Sequence, residues 1–199
     1  MHQPSLTFFC ELDSPRLTNL FSGNNVIQYL TRLNANISLG LIDLSAERAE
    51  VVKKMNRAGI PVTAWILLPK EQGYWTSLDT INETVQRYME FKEWKTKHKL
   101  NFCAIGLDIE PRIDLLTSLG TKPFSQAAVL LKRYLSSHQF KEDETSARAL
   151  IQAIRTDGYA VETYQFPTVL DERAGRSDFL AKTLGIPVLN SDREILMLY

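Results

Sequence analysis

The stretch FCAIGLDIEP, Phe102–Pro111, is an apolar run that closes on two acids and a proline. Residues two apart in an extended chain share a face. Asp108 and Glu110 therefore point one way with Phe102, Ala104 and Gly106, and Cys103, Ile105, Leu107 and Ile109 point the other. Four apolar side chains suit a layer beneath helices, which leaves both carboxylates on the inner face of a sheet.

The rest of the chain repeats the strand-then-helix alternation of βα units and a parallel sheet. The strand candidates are 7–13, 37–43, 61–68, 102–110, 160–167 and 194–199. Helical stretches separate them. SAERAEVVKKMNRAG has Ser45 as N-cap and Gly59 as the residue after the helix. LDTINETVQRYMEFKEWKTKHK is the longest, with Val85, Tyr88, Met89 and Trp94 at helical spacing. Gly158 and Gly185 close two more helices, and KEDE, 141–144, reads as a solvated charge run joining two helices. A spacing of roughly 25 to 40 residues per unit extrapolates to about 265 residues for eight units, close to a TIM-type (β/α)₈ barrel. With 199 residues, the expected fold is α/β, one domain over 1–199, an incomplete barrel of about six of eight units. A doubly wound sheet has the same element order, but CELDSPR stands where its Gly-rich phosphate turn belongs.

Barrel chemistry sits at the C-terminal mouth, which is where Asp108 and Glu110 fall. The first strand repeats the arrangement, with Glu11 and Asp13 on one face and Phe8, Cys10 and Leu12 on the other. In the fifth strand Glu162 shares a face with Tyr164 and Phe166. Asp43 ends the second, with no parity to decide its direction. For Asp13 and Asp43 the favoured reading is a helix cap or a salt bridge to a nearby arginine such as Arg16. Neighbouring buried carboxylates repel and destabilise a fold, so Asp108 and Glu110 together point to function. Trp65 on the third strand and Tyr74 and Trp75 in the loop EQGYWTS supply rings on which sugar faces stack.

Composition narrows the partner. Lys+Arg equals Asp+Glu at 23 each, and no Lys/Arg cluster stands out along the chain, which removes the electrostatic basis for nucleic-acid or anionic-membrane binding. A small molecule or oligosaccharide is the expected ligand, no cofactor is implied, and cytoplasmic residence is the default. Cys10 and Cys103 read as two buried thiols, with a disulfide between neighbouring strands as the alternative.

GLDIEP, Gly106–Pro111, resembles the end of the fourth-strand motif of family 18 glycoside hydrolases, the chitinase-like barrels. MLY, Met197–Tyr199, is similar to that family's sixth-strand Met-x-Tyr. The resemblance implies Glu110 as general acid to the glycosidic oxygen, Asp108 as its partner and Tyr199 as the ligand of the substrate's acetamido group. The upstream family acid falls where this chain has Cys103 and Ala104. A wider pattern, ELD…GLIDLS…GIPVTAWILLP…GYW…GLDIEP…YQFP…DER…LMLY, is similar to a group of uncharacterised bacterial barrel proteins.

The expected function is thus a glycoside hydrolase-like barrel with Glu110 as acid/base and Glu162 or Glu11 as the second carboxylate. Catalytic candidates are Glu110, Asp108, Glu162 and Tyr199; substrate-binding candidates are Glu11, Asp13, Trp65, Tyr74, Trp75 and Tyr164. The same acids suit Mg²⁺ or Mn²⁺ in an isomerase, lyase or phosphodiesterase, although His2, His98 and His138 all lie away from strand ends. A carbohydrate-binding barrel without catalysis is the third reading. Open edges at 7–13 and 194–199 predict self-association.

Overall fold

The computed structural model describes residues 6–111, 129–130, 132–134, 140–177 and 179–198. Tyr199 lies outside them. Six parallel strands form one sheet: β1 (Thr7–Cys10), β2 (Asn36–Leu41), β3 (Val62–Ile66), β4 (Ala104–Asp108), β5 (Ala160–Gln165) and β6 (Arg193–Leu196). Each strand neighbours the next in sequence. That order excludes the doubly wound alternative, which needs a reversal in the middle of the sheet. β1 and β6 end the order, with ladders to β2 and to β5 respectively.

The chain condenses into two compact units, one of residues 1–66 with 87–106 and the other of 67–86 with 107–199. In the first unit, α1 (Ser14–Leu20), α2 (Asn25–Arg32) and α3 (Ala46–Arg57) follow β1 and β2 in turn. The register Cys10↔Leu39↔Ala64 puts Ile37, Leu39, Leu41, Val62, Ala64 and Ile66 on one face, all buried, and α3 packs on β3 with Val51, Val52 and Met55 buried. The opposite face is more polar, carrying Asn36, Ser38, Gly40 and Thr63 beside Phe9 and Trp65, whose rings meet edge-on at 5.8 Å. α4 (Ile81–His98) runs from one unit into the other. Its buried stripe is Ile81, Thr84, Tyr88, Phe91 and Trp94. Met89, expected in that stripe, is 51% exposed because Phe91 rather than Met89 continues the spacing from Tyr88.

Local signals explain the helix ends. The Ser45 hydroxyl accepts from Arg48 N–H at 3.2 Å, and Gly59 takes φ +70 beyond the C-terminus of α3, as the sequence predicts. Asp13 caps α1 by accepting from Arg16 N–H at 2.9 Å. The β1 ladder therefore stops at Cys10, short of the expected 13. Cys103 is exposed rather than buried, since β4 begins only at Ala104; its thiol donates to the Val62 carbonyl, and both cysteines are free.

In the second unit, α5 (Lys141–Thr156) packs on β5, and α6 (Thr168–Ala174) and α7 (Phe179–Leu184) lead to β6. The run KEDE is the first turn of α5, not a joint between helices. Its acids Glu142, Asp143 and Glu144 sit at the positive end of the helix dipole. Burial first, then the charges of Asp79, Glu142 and Glu83, push the Asp143 carboxyl up. The turn after α7 is held tightly: Leu78 N–H donates to the Gly185 carbonyl at 2.6 Å, and Arg133 bonds both the Thr183 carbonyl and Asp79. A side chain at Gly185, where φ is +69, would meet the Asp79 carboxylate at 2.7 Å. Gly185→Ala is expected to cost about 2 kcal/mol, from the left-handed backbone and the displaced ion pair. A shift of the urea midpoint checks this, and an unchanged midpoint would show that the pair moves aside freely.

Candidate functional site

The second unit holds the largest group of candidate residues: Asp108, Glu110, Glu162, Tyr164, Tyr74 and Trp75. β4 ends at Asp108 rather than at the expected 110, so Glu110 lies two residues beyond it; the two are 2% and 4% exposed. Backbone bonds fix that end from both sides. Thr76 N–H donates to the Asp108 carbonyl at 2.8 Å, and Ile109 N–H donates to the Tyr164 carbonyl at 2.9 Å. Thr76 is itself locked by the turn that follows it, where Ser77 N–H donates to the Thr80 hydroxyl at 2.9 Å and that hydroxyl donates to the Trp75 carbonyl at 2.7 Å. The two carboxylates thus stand on backbone with little freedom to shift, as a catalytic constellation requires.

Glu162 on β5 is also buried, at 4% exposed. The Tyr164 hydroxyl donates to its Oε2 at 3.2 Å, and Arg193 of β6 donates to its Oε1 at 2.7 Å. Parallel register explains the pairing, because Glu162 lies opposite Arg193 and their side chains emerge on one face. The alternate face of β5 carries a second polar line, in which Gln165 donates to the Thr163 hydroxyl and Thr163 meets Ser191, each at 2.9 Å. An isolated buried carboxylate costs several kcal/mol, and the Arg193 guanidinium gives Glu162 an ionic partner. Arg193→Met is expected to destabilise by roughly 1 to 3 kcal/mol at neutral pH, with the loss limited because Arg193 is largely exposed. Chemical denaturation checks the value. A variant as stable as wild type would mean that water replaces the guanidinium without loss.

The loop rings divide. Tyr74 is buried at 7% exposed with φ +69, and Trp75, half-buried, meets it edge-on at 5.5 Å. Trp75 is the ring with surface left for a ligand.

The other candidates belong to the first unit. Glu11 is exposed just beyond β1, Asp13 is the α1 cap, and Trp65 is 6% exposed beside Phe9. Asp43 makes the kind of arginine salt bridge expected of it, but with Arg48, which the sequence reading did not name. Arg48, 0% exposed, reaches Asp43 through Nε at 3.2 Å and Nη2 at 2.8 Å, the Gly40 carbonyl at 2.8 Å and the Leu12 carbonyl at 2.9 Å. The Ser14 hydroxyl donates to the same carboxylate. Burial alone would push the Asp43 carboxyl up; the Arg48 hydrogen bonds, the Ser45 hydroxyl and N–H, and the guanidinium charge outweigh it and hold the group well below the usual carboxylate range. An i,i+5 Asp–Arg spacing across Ser45 was the only signal of this pair in the sequence.

Among the described residues, no group of three or more His, Cys, Asp or Glu side chains is placed to hold a metal ion, and no helix is long and apolar enough to cross a membrane. No protein-family model matches the chain, and no curated protein matches it.

Proposed function

We propose that the six βα units are those of a TIM-type, glycoside hydrolase-like barrel that binds and cleaves a carbohydrate, with Glu110 as the general acid. The observation that carries this reading is the pair of buried carboxylates, Asp108 and Glu110, at consecutive same-face positions where β4 ends. A carboxyl withdrawn from water holds its proton more readily, and a second acid two residues away adds to that tendency. Glu110 gives its proton to the glycosidic oxygen as the bond to the anomeric carbon breaks, so the leaving sugar departs as a neutral alcohol.

Glu162 fits a different task. Its ion pair with Arg193 and its bond from Tyr164 hold both carboxylate oxygens in place, which suits a fixed group facing a developing oxocarbenium ion better than one that shuttles a proton. Trp75 supplies a stacking surface. Asp108 and Tyr199 keep the substrate-orienting roles that the motif resemblance implies.

Turnover of a panel of aryl glycosides and N-acetylated oligosaccharides, with and without EDTA, tests the reading. Chelator-insensitive release of aglycone supports it. Saturable oligosaccharide binding with no release would assign a binding barrel instead, and activity abolished by EDTA and restored by Mg²⁺ or Mn²⁺ would assign the metal-dependent alternative.

A further inference from the structure

The first unit also assembles a basic depression that includes none of the acids above. Lys53 and Arg57 in the last turns of α3 meet Lys97, His98 and Lys99 at the end of α4 around a concavity of about 470 Å³. No run of the chain announces it, because the two groups stand some forty residues apart. Asn56 and Asn101 brace the floor: the Asn56 amide donates to the Asn101 carbonyl and accepts from Asn101 N–H, each at 2.9 Å. The Asn56 side chain and the Asn101 backbone are thereby used by the scaffold, with the basic side chains around them.

Three observations separate this depression from ordinary solvated charge. First, helix C-termini favour a nearby cation, which accounts for a basic residue or two but not for five converging on one hollow. Second, Glu50 pairs with Lys53 at 2.7 Å and leaves the surplus positive. Its carboxyl is held below the usual value by the Lys53 hydrogen bond and, further, by the charges of Arg57 and His98.

Third, Lys99 occupies a backbone conformation that side chains disfavour. α3 and α4 end in the same way. Ile60 N–H returns to the Met55 carbonyl at 3.0 Å with Gly59 at φ +70, and Leu100 N–H returns to the Lys95 carbonyl at 3.0 Å with Lys99 at φ +55. Glycine serves the first turn without strain; the second keeps a lysine there, at the edge of the depression. The turn fixes the Lys99 side chain at that edge, as the same turn fixes Asn34 after α2 and Arg176 after α6.

We infer that this depression binds a compact polyanion of the oligophosphate class. The lining is rich in cations, and its ring, the His98 imidazole, is tilted against Trp94 at 6.0 Å, which favours a phosphate group over a nucleoside. Four permanent cations within one hollow repel each other until a multivalent anion neutralises them, and a single carboxylate or chloride does so less completely.

Isothermal titration with sodium tripolyphosphate tests the site, at low and high salt. Saturable one-site binding that weakens as salt rises is expected, with affinity lowered roughly tenfold in the double variant Arg57→Ala, Lys97→Ala. Lys99→Gly separates a binding role from a structural one. It relieves the positive-φ position, so the thermal midpoint rises while tripolyphosphate affinity falls. Absence of saturable binding to the wild-type chain, or equal affinity in all three proteins, overturns the inference. So does Lys99→Gly raising the midpoint with no loss of affinity.

Discussion

Replacing Glu110 by glutamine is expected to lower glycosidase turnover by roughly 10² to 10⁴-fold, the usual contribution of a positioned general acid. The amide keeps the shape and hydrogen-bonding reach of the carboxyl but has no proton to deliver at the moment of bond cleavage. Glu110 is buried at the end of a strand fixed on both sides by backbone bonds, so an isosteric change leaves the fold intact and the thermal midpoint nearly unmoved. Oligosaccharide binding should persist, since loss is confined to the step in which charge develops. Trp75→Ala makes the complementary case: a higher KM at unchanged kcat marks a ring that binds ground state and transition state alike. Equal turnover by Glu110→Gln and wild type would remove the acid role.

Arg48→Met is expected to cost about 3 kcal/mol of stability. The guanidinium is wholly buried and donates four hydrogen bonds, to Asp43 twice and to the carbonyls of Gly40 and Leu12. Methionine fills the space but leaves two carbonyls and a carboxylate without those donors, a change that costs 3 to 5 kcal/mol when both partners are buried. Asp43 keeps about a third of its side chain in water, which places the effect at the lower end. The acid limb distinguishes this account from a packing defect. Because the folded Asp43 value lies below the unfolded one near 3.9, the stabilisation is fully present above the unfolded value and disappears as pH falls through the folded one. Urea midpoints of wild type and variant should therefore converge in acid. Curves that stay parallel down to the acid limit would assign the loss to packing.

All six strands were legible because β-branched and apolar runs alternated with longer amphipathic ones, and Ser45, Gly59 and Gly185 marked turns by chemistry that needs no tertiary information. Strand lengths were less legible. The acidic and apolar alternation of β1 continues to Asp13, yet Asp13 is taken by the cap of α1 and the Leu12 carbonyl by Arg48, so the ladder ends at Cys10. On α4, Met89 and Phe91 both lie near the stripe through Tyr88, and only packing chooses between them. The same limit applies to the acids. Parity placed Asp108 and Glu110 together, but the partner of Glu162 depends on the register of β5 with β6, which brings in Arg193 from 31 residues away. Side-chain charge scattered over two helix ends, as around Lys53 and Lys97, becomes a feature only once the helices stand side by side.

The neighbour order of the sheet is also the order in which the chain leaves the ribosome. The ladders β1–β2, β2–β3 and β5–β6 each join a strand to one that emerged about thirty residues earlier, so those loops are short and pairing can keep pace with synthesis, whereas β5 must return to β4 over a longer stretch. The first unit is also an exception, because it borrows residues 87–106 after an excursion of 67–86 into the second. Until that stretch has emerged, the Leu41 and Ile42 carbonyls lack the Arg87 guanidinium that bonds them, and the Ser45 carbonyl lacks the Trp94 indole N–H. A ribosome paused between β3 and β4 therefore displays β1 to β3 with part of their covering missing, the interval in which a nascent chain is most exposed to chaperones and proteases.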